Sequence, residues 1–471
     1  MILSLCVRCL RSLSSALILL PLSLPFLCSC SGYVSSVTPR ISVAEEYTDN
    51  RDLTHSNPKS DSITTVSPGI TVSRYGPTSE LGLSYNPSFV YYAQGIEGAA
   101  GSGVGDQGGQ FANRQNATLY AWDRIQMHSL VTLSDTFTRT DDPVAYSEPT
   151  FIRTDQPLPP VDETIRTSRQ PYETNFANVG FRQEFGLNDS LTFNYANTIL
   201  NNDDPTIQNN TTNSPSVDLT YWFNTLYGID LKATYLRGDY SGQGGIAAYP
   251  DINETVFVAR FIRRISPTLN LFLQGTYINM NFEGAAPNTP TSPASIFTDF
   301  SVYDVTAGVD YHLSPTVFLT MSGGYFVENV DIGKPASGYE VHADMGKQFN
   351  WGSVRLTGSV GYDESFFGAQ NLGLTKYYGA TLAGTYSFTQ RLTGIVSADY
   401  RNNDYVEFSS ENANLTTLLA GLTYQFRPWM SFTARYTHHI ANSQETIDSY
   451  TENRATLIMT LVPKEPYLLG R

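Results

Sequence analysis

The chain has 471 residues and a formal net charge of −15, and 15% of its residues are charged while 13% are aromatic. Soluble proteins usually carry nearer a quarter of charged residues. With 29 Lys and Arg against 44 Asp and Glu, composition argues against a nucleic-acid partner, because phosphate binding needs clustered basic side chains.

The first thirty residues have the layout of a secretory signal. Arg8 and Arg11 precede an apolar stretch over 13–27, which small and polar residues follow at once. Pro21 and Pro25 interrupt this stretch, and it is short for a membrane span. We therefore predict a signal peptide over residues 1–30 and a single domain over 33–471.

All four cysteines lie inside the predicted signal, at Cys6, Cys9, Cys28 and Cys30. The Leu27-Cys28-Ser29-Cys30 stretch is similar to the box at which bacterial lipoproteins are cleaved and acylated. Two alternatives stay open, a lipid-modified Cys30 and ordinary signal cleavage nearby. In both, the mature chain has no disulfide, and the usual cysteine signals of zinc binding or thiol catalysis are absent.

After residue 32 no apolar run approaches the length of a membrane helix, which excludes a helical inner-membrane protein. Apolar and polar residues alternate instead, as in 418–426, where the even-numbered residues are mostly apolar. Period-two alternation predicts β-strands with two different faces. A soluble sandwich shows the same alternation, but the runs here are about 10 to 13 residues long, as a tilted membrane-spanning strand requires.

The predicted strands form hairpins with short turns at one end and longer polar loops at the other. We predict an all-β, transmembrane, antiparallel up-and-down β-barrel of about 20 strands (18–22) with short periplasmic turns and long extracellular loops. A closed barrel is required because lipid cannot satisfy the backbone groups of an edge strand. The predicted strands are 40–49, 62–74, 80–93, 116–122, 128–139, 173–186, 190–200, 216–224, 226–238, 253–264, 269–280, 301–313, 316–328, 338–349, 352–363, 376–389, 391–403, 414–426, 429–440 and 453–462.

Aromatic residues recur at strand ends beside the short turns. We interpret them as a girdle at the level of the lipid headgroups, with plain β-propensity as the alternative. The girdle candidates are Phe223, Tyr311, Phe349, Trp351, Phe388, Phe426 and Trp429.

Charged residues lie on the predicted non-lipid faces of the strands. They are either a solvated wall with cross-strand ion pairs or a mixed-charge lining that tunes which solutes pass. The lumen-facing candidates are Arg182, Asp230, Lys232, Asp304, Asp310, Arg355, Asp363, Asp399, Arg401 and Arg435.

The longest predicted loop, 140–172, contains six prolines, which oppose strand continuation. A constriction folded into the barrel and a surface loop are both open interpretations of it.

Three segments resemble the Putative beta-barrel porin 2 family of bacterial outer-membrane proteins. They are Ser62-Ile-Thr-Thr-Val-Ser-Pro-Gly-Ile70, Leu83-Ser-Tyr-Asn-Pro-Ser-Phe-Val-Tyr91 and Leu133-Ser-Asp-Thr-Phe-Thr-Arg139, and the endings at 384–388 and 421–426 are similar too. The resemblance implies a closed barrel with a pore or export role, and it supplies no catalytic residues.

We therefore expect a porin-like protein in the outer membrane of a Gram-negative bacterium, giving passage to hydrophilic solutes such as oligosaccharides. A non-conducting structural or adhesive barrel that acts through its extracellular loops is the alternative. No sequence motif indicates an enzyme, a cofactor or a metal site. The expected partners are outer-membrane lipids, the barrel-insertion machinery and small hydrophilic solutes.

Overall fold

The computed structural model describes residues 33–94, 110–142, 170–204, 207–242, 250–283, 298–330, 335–364, 374–406, 412–444 and 449–469. The predicted signal peptide and Cys30 lie outside these ranges, as does most of the 140–172 loop. No helix in the described ranges is long and apolar enough to cross a membrane.

The described residues are organised as antiparallel strands, numbered here in chain order. The strands are β1 Val34–Thr48, β2 Asp61–Tyr75, β3 Ser79–Tyr92, β4 Gln110–Gln126, β5 Ser129–Thr140, β6 Tyr172–Glu184, β7 Ser190–Asn202, β8 Asn209–Trp222, β9 Tyr227–Ser241, β10 Asp251–Ser266, β11 Leu269–Glu283, β12 Phe300–Ser314, β13 Val317–Val330, β14 Ser337–Phe349, β15 Gly352–Glu364, β16 Leu374–Ser387, β17 Leu392–Tyr405, β18 Ala413–Arg427, β19 Met430–Ser443, β20 Tyr450–Leu461 and β21 Tyr467–Leu469.

The sheet closes on itself between its first and its twentieth strand. Each strand from β1 to β20 pairs with its neighbours in the chain, and β1 pairs with both β2 and β20. Ile41, for example, lies opposite Pro68 on one side and Leu461 on the other. The predicted barrel of twenty antiparallel strands is therefore confirmed. A short additional strand, β21, extends the seam by pairing with residues 35–37 of β1.

The connections alternate between two lengths, and this separates the two ends of the barrel. At one end, called here the turn end, strands join through tight turns such as Pro315-Thr316 between β12 and β13. At the other end, called here the loop end, the connections are longer, as between β1 and β2 and between β5 and β6. This is the arrangement that the sequence predicted.

Three strands extend well beyond their predicted bounds, and one of them, β8, begins at Asn209 rather than at residue 216. β1 begins at Val34 rather than at residue 40, and β4 runs from Gln110 to Gln126 rather than over 116–122. The extensions of β1 and β4 contain residues that obscure the alternation: Pro39 in β1 and the polar run 113–116 in β4. Their neighbours in the sheet supply the pairing, since Pro39 lies opposite Ile70 and Arg114 opposite Ser88. Tertiary pairing here overrides local propensity.

The strands present an apolar face and a polar face, and the two faces differ sharply in exposure. On β12, Tyr303 and Val305 are 53% and 58% exposed, whereas Asp304 between them is 4% exposed. Successive residues of a strand point to opposite sides of a sheet. The exposed apolar side chains thus cover the outside of the ring, and Asp304 points inward.

Gly308 on β12 is a position where only a hydrogen side chain fits. The ring of Phe272 lies against it on the inner face, and a Cβ atom there would also lie 2.5 Å from the Met321 carbonyl oxygen. Gly275 on the outer face of β11 is different, since the nearest atom to a Cβ would be the Asp304 carbonyl oxygen at 3.9 Å. The two glycines are a matched pair for testing how tightly the inner face is packed.

We expect Gly308→Ala to lower the unfolding free energy by about 1–3 kcal/mol, because overpacking must displace the Phe272 ring. Gly275→Ala should change it by less than about 0.5 kcal/mol, as is usual for open surface sites. Thermal unfolding in detergent, followed by the heat-dependent mobility of the folded barrel on gels, measures both. Equal stabilities of the two variants would contradict the packing described for Gly308.

Candidate functional site

The interior of the ring is the candidate functional site. All ten charged residues expected in the lumen lie on the wall face opposite the exposed apolar side chains. On β9, for instance, Asp230 and Lys232 alternate with Leu231, which is exposed on the outside. That these charges govern the passage of solutes stays a prediction.

Several of the inward charges are paired with charges on other strands. Arg260 donates to Asp310 at 2.5 Å, and Arg401 donates to Asp363 at 2.9 Å. Arg355 binds the Asp344 carboxylate with two nitrogen atoms, at 2.9 and 2.8 Å. Ion pairs of this kind cancel much of the local field, so the wall has alternating signs rather than one dominant charge.

Inward arginines also stack on inward aromatic rings. The guanidinium carbon of Arg260 lies 3.7 Å from the centroid of the Phe272 ring, and that of Arg264 lies 4.1 Å from the Trp222 ring. Arg401 lies in the same way over Tyr377, at 4.3 Å. Planar guanidinium groups are attracted to aromatic faces, which holds these long side chains against the wall.

Asp304 is not a solvated wall residue. It is buried, and its carboxyl group lies beside that of Glu340 of β14, two strands away. Gly324 on the intervening strand β13 has no side chain on this inner face, which leaves room for the two carboxyl groups to meet. Two carboxyl groups can hydrogen-bond to each other only when one of them carries a proton. Glu340 was missed in the sequence because it pairs with a residue 36 positions away.

Burial of the inner face increases from the turn end to the loop end. On β12, Phe300, Val302, Asp304 and Thr306 are buried, Gly308 and Asp310 are partly exposed, and His312 is exposed. On β2, Asp61 and Ile63 at the loop end are buried while Thr65, Ser67 and Thr71 on the same face are partly exposed, and Ser73 near the turn end is buried again. The lumen is therefore narrowed by protein at the loop end.

An apolar cluster contributes to this narrowing on one side of the ring. It is centred on β10 to β13 at the loop end, where Ile252, Met280 and Val302 have no exposed surface. These side chains point inward, since their strand neighbours Tyr303 and Phe257 are exposed on the outside. Alternation in the sequence predicts a polar lumen wall. The loop ends of β10 to β13 depart from this prediction because their inner face packs against other protein groups instead of facing water.

Aromatic residues ring the outside of the barrel at the turn end. The seven girdle candidates lie at or near the short turns, and all but Phe349 are exposed. Phe349 stacks on Trp351 with 4.6 Å between ring centroids, and Trp351 in turn lies 4.5 Å from Tyr386. Exposed rings in contact at one level fit the interface between headgroups and acyl chains.

A second aromatic belt lies outside the barrel between the middle of the strands and the loop end, and the sequence did not indicate it. Five outward tyrosines each donate a hydrogen bond to an Asn or Ser on the next strand. The pairs are Tyr195 with Asn213, Tyr235 with Asn253, Tyr325 with Ser337, Tyr400 with Asn414 and Tyr436 with Asn453. The signal is a Tyr in the middle or second half of one strand and an Asn or Ser in the first half of the next, and only the register of the strands connects the two.

The distance between the two belts matches the thickness of a membrane core. On β18, Thr416 lies opposite Tyr400 of the loop-end belt, and Phe426 of the turn-end girdle follows ten residues later. At about 3.3 Å per residue and a tilt of about 40°, this stretch spans about 25 Å. An outer-membrane barrel has an apolar band of about this height.

The structure holds no candidate metal centre among its described residues, because no three His, Cys, Asp or Glu side chains come together there. The arrangement of the site is thus a charged and aromatic inner wall with a narrowed loop end.

Residues 250–462, which contain β10 to β20, match the model of the Putative beta-barrel porin 2 family. The match confirms the resemblance to this family over these residues. No curated protein sequence matches the chain.

Solved structures of outer-membrane proteins are similar in fold. The FrpB iron transporter from Neisseria meningitidis is 11% identical, with a TM-score of 0.51 over 90% of this chain and 81% of its own. OccAB2 from Acinetobacter baumannii is 12% identical, with a TM-score of 0.40 over 93% of this chain and 98% of its own. OpdK from Pseudomonas aeruginosa, solved with vanillate, is 11% identical, with a TM-score of 0.40 over 91% and 99%. At 11% identity the similarity to FrpB concerns the fold alone.

The outward face can be tested with two neighbouring residues of β16. Leu382 is exposed on the outside between the two belts, and Thr381 points inward, opposite Asp399. We expect Leu382→Arg to cost about 2–4 kcal/mol in a bilayer, as for an arginine near the midplane of a barrel. Thr381→Arg should leave the folded fraction unchanged. Refolding into lipid vesicles measures both, and equal folding would contradict the assignment of the faces.

The carboxyl pair can be tested at Glu340. Glu340→Ala leaves the buried Asp304 without this partner, and we expect a loss of about 1–3 kcal/mol in unfolding free energy. Glu340→Gln keeps a donor for the Asp304 carboxylate, so it should cost less than about 0.5 kcal/mol. Thermal unfolding in detergent compares the two variants, and an Ala variant as stable as the Gln variant would show that the pair is not a structural contact.

Proposed function

We propose that the protein forms a passive channel through the bacterial outer membrane for hydrophilic solutes. The observation that carries this proposal is the closed ring of twenty strands with apolar side chains outside and charged side chains inside. Barrels of 16 to 18 strands already leave room for an aqueous channel, so a ring of this size encloses a lumen that side chains alone cannot fill.

The membrane location is supported by the two outer aromatic belts. On β18 they are separated by about 25 Å, which is the height of the apolar band of outer-membrane barrels. A soluble protein would have to expose the apolar outer surface between them to water, which is unfavourable for a contiguous apolar area of this size.

The inner wall favours weak ion selectivity. Arg260, Arg355 and Arg401 are each paired with a carboxylate. Since both signs line the wall and largely cancel, a strong preference for anions or cations does not follow. Neutral hydrophilic solutes suit such a lumen.

Oligosaccharides are the solute class that we propose to test first. Tyr120 and Trp122 lie on the inner face of β4 and both donate to Glu80, at 2.9 Å. Amphipathic rings beside a carboxylate offer a flat apolar surface and a hydrogen-bond acceptor, which together suit a sugar ring.

Planar-bilayer recording of the purified protein tests the channel. We expect discrete current steps with similar permeability for K⁺ and Cl⁻, because the inner charges are balanced by pairing. An Arg401→Gln variant should shift the reversal potential towards cation preference, since it removes the positive partner of Asp363 from the wall. Bilayers that contain inserted protein and carry no current under any salt or voltage would overturn the proposal.

A non-conducting adhesive barrel is the second candidate, and the burial of the inner face at the loop end favours it. Replacing residues 145–168 with a short Gly/Ser linker leaves Asp141 and Asp142 in place. Loss of cell attachment with unchanged permeability supports adhesion, while unchanged attachment with altered permeability supports the channel.

A further inference from the structure

Two connections at the loop end meet on the first five residues of β20, Tyr450 to Arg454. One is the whole β1–β2 connection, residues 49–60. The other is the start of the β5–β6 connection, Asp141 and Asp142. We call these two segments together the inner collar.

The 49–60 connection folds over the inner faces of neighbouring strands. Leu53 is buried against Ala441 and Tyr450, which lie on β19 and β20. The Asn50 side-chain amide donates to the Thr451 carbonyl oxygen at 2.9 Å. Leu53 also has a φ of 52°, a left-handed conformation that is rare for such a residue and persists only where packing enforces it.

Buried charges hold the connection in this shape. Arg51 is almost fully buried and donates to Asp52 at 2.8 Å and to Asp61 at 3.3 Å. The hydrogen bond with Asp52, together with the charges of both carboxylates, raises the pKa of Arg51 above its ordinary value in spite of burial. The guanidinium therefore stays charged, and the connection is fixed to the loop end of β2.

Asp142, just after β5, contacts β20 on the far side of β1 to β4. Arg454 donates to its two carboxylate oxygens, at 2.8 and 3.2 Å. In the order of the sheet, β1, β2, β3 and β4 separate β20 from β5. Five steps at about 4.8 Å per strand amount to about 24 Å along the wall, too far for direct contact between two side chains. The chain after β5 therefore turns inside the ring.

Asp141 ties the same segment to the strands that it crosses. Arg114 of β4 donates to Asp141 at 2.5 Å, and the Tyr92 hydroxyl of β3 donates to it at 2.6 Å. Arg114 also donates to the Tyr92 hydroxyl at 2.9 Å. The segment is thus held at both ends, by Arg114 and by Arg454.

The inner wall beneath the segment is covered. Ile63 of β2 and Val90 of β3 point inward and are 1% and 0% exposed, whereas Thr71, further down the same face of β2, is partly exposed. Apolar side chains in an open aqueous channel would be exposed. Ile63 and Val90 are instead packed with Tyr92, whose hydroxyl donates to Asp141, so protein fills this part of the mouth.

Arg454 balances three carboxylates at once. Besides Asp142, it contacts Glu452 at 3.0 Å and Glu46 at 3.6 Å. Without the arginine, three negative groups would remain together in a poorly hydrated place. Their repulsion would drive away Asp142, the one that lies on a connection rather than on a wall strand.

We propose that the inner collar narrows the loop-end mouth of the lumen and sets the largest solute that passes, with Arg454 as its positioning residue. This proposal rests on the proposed channel function. The release of the inner collar from the wall on loss of Arg454 can, however, be measured without recording any current.

The first experiment compares Arg454→Gln with the wild type in planar bilayers and in liposome swelling with sugars of increasing size. We expect conductance to rise about two-fold or more and larger sugars to enter, because flow follows the open cross-section. Arg237→Gln is the matched control. It also breaks an arginine–carboxylate contact, with Asp239 at 2.9 Å, but Arg237 shares the outward face of β9 with the exposed Tyr235 and so lies outside the lumen.

The second experiment uses cysteine accessibility, since residues 31–471 contain no cysteine. Ile63→Cys should resist a polar maleimide in the otherwise unchanged protein and react at least about ten-fold faster with Arg454→Gln added, because reaction requires access to the thiol. Thr71→Cys on the same face should react equally in both backgrounds.

The outcomes separate the two proposals. If Arg454→Gln speeds the labelling of the Ile63→Cys thiol but no variant carries current, the result supports the collar and overturns the channel. The collar is overturned if the wild type carries current but Arg454→Gln changes neither the size limit for sugars nor the protection of the Ile63→Cys thiol. If Arg454→Gln fails to fold, Asp142→Asn decides in its place, since it breaks the same contact and leaves the arginine with its other carboxylates.

Discussion

The backbone pairing between β1 and β20 is the interaction on which the rest of this structure depends. Without it the sheet would have two edges, each with a row of unsatisfied N–H and C=O groups. In the hydrocarbon of a membrane each such group costs several kcal/mol, so an open sheet of this length is not viable there. The eight paired positions from Ile41 to Thr48 remove both edges at once and create an inside and an outside.

Closure of the barrel then places the two faces of each strand in different surroundings. Outside, apolar side chains cover the wall between two aromatic belts, and the hydroxyl groups of the loop-end tyrosines find amide or hydroxyl partners on the next strand. Inside, arginines are held by carboxylates and by aromatic rings. The wall is a single layer, so the usual packed core is replaced by contacts along each face. This explains why glycines such as Gly308 are needed where a large ring crosses the inner face.

The fold was largely predictable from the sequence because the period-two pattern is local. All twenty wall strands were found, and the tight turns such as Pro315-Thr316 separated them. The site was less predictable, since its contacts join strands far apart in the chain. The face of Asp304 followed from alternation, but its partner Glu340 lies across an intervening strand. Similarly, nothing near Asp142 in the sequence points to Arg454, and only the closed ring brings them together.

The collar contacts have a consequence for the order of assembly. Asn50 bonds to Thr451 and Asp142 to Arg454, across separations of 401 and 312 residues. Contacts so distant along the chain form late in folding. β20, the last wall strand to be synthesised, thus carries the groups that bind the inner collar. A barrel in which β1 and β20 have not yet paired would therefore also lack the narrowed mouth at its loop end.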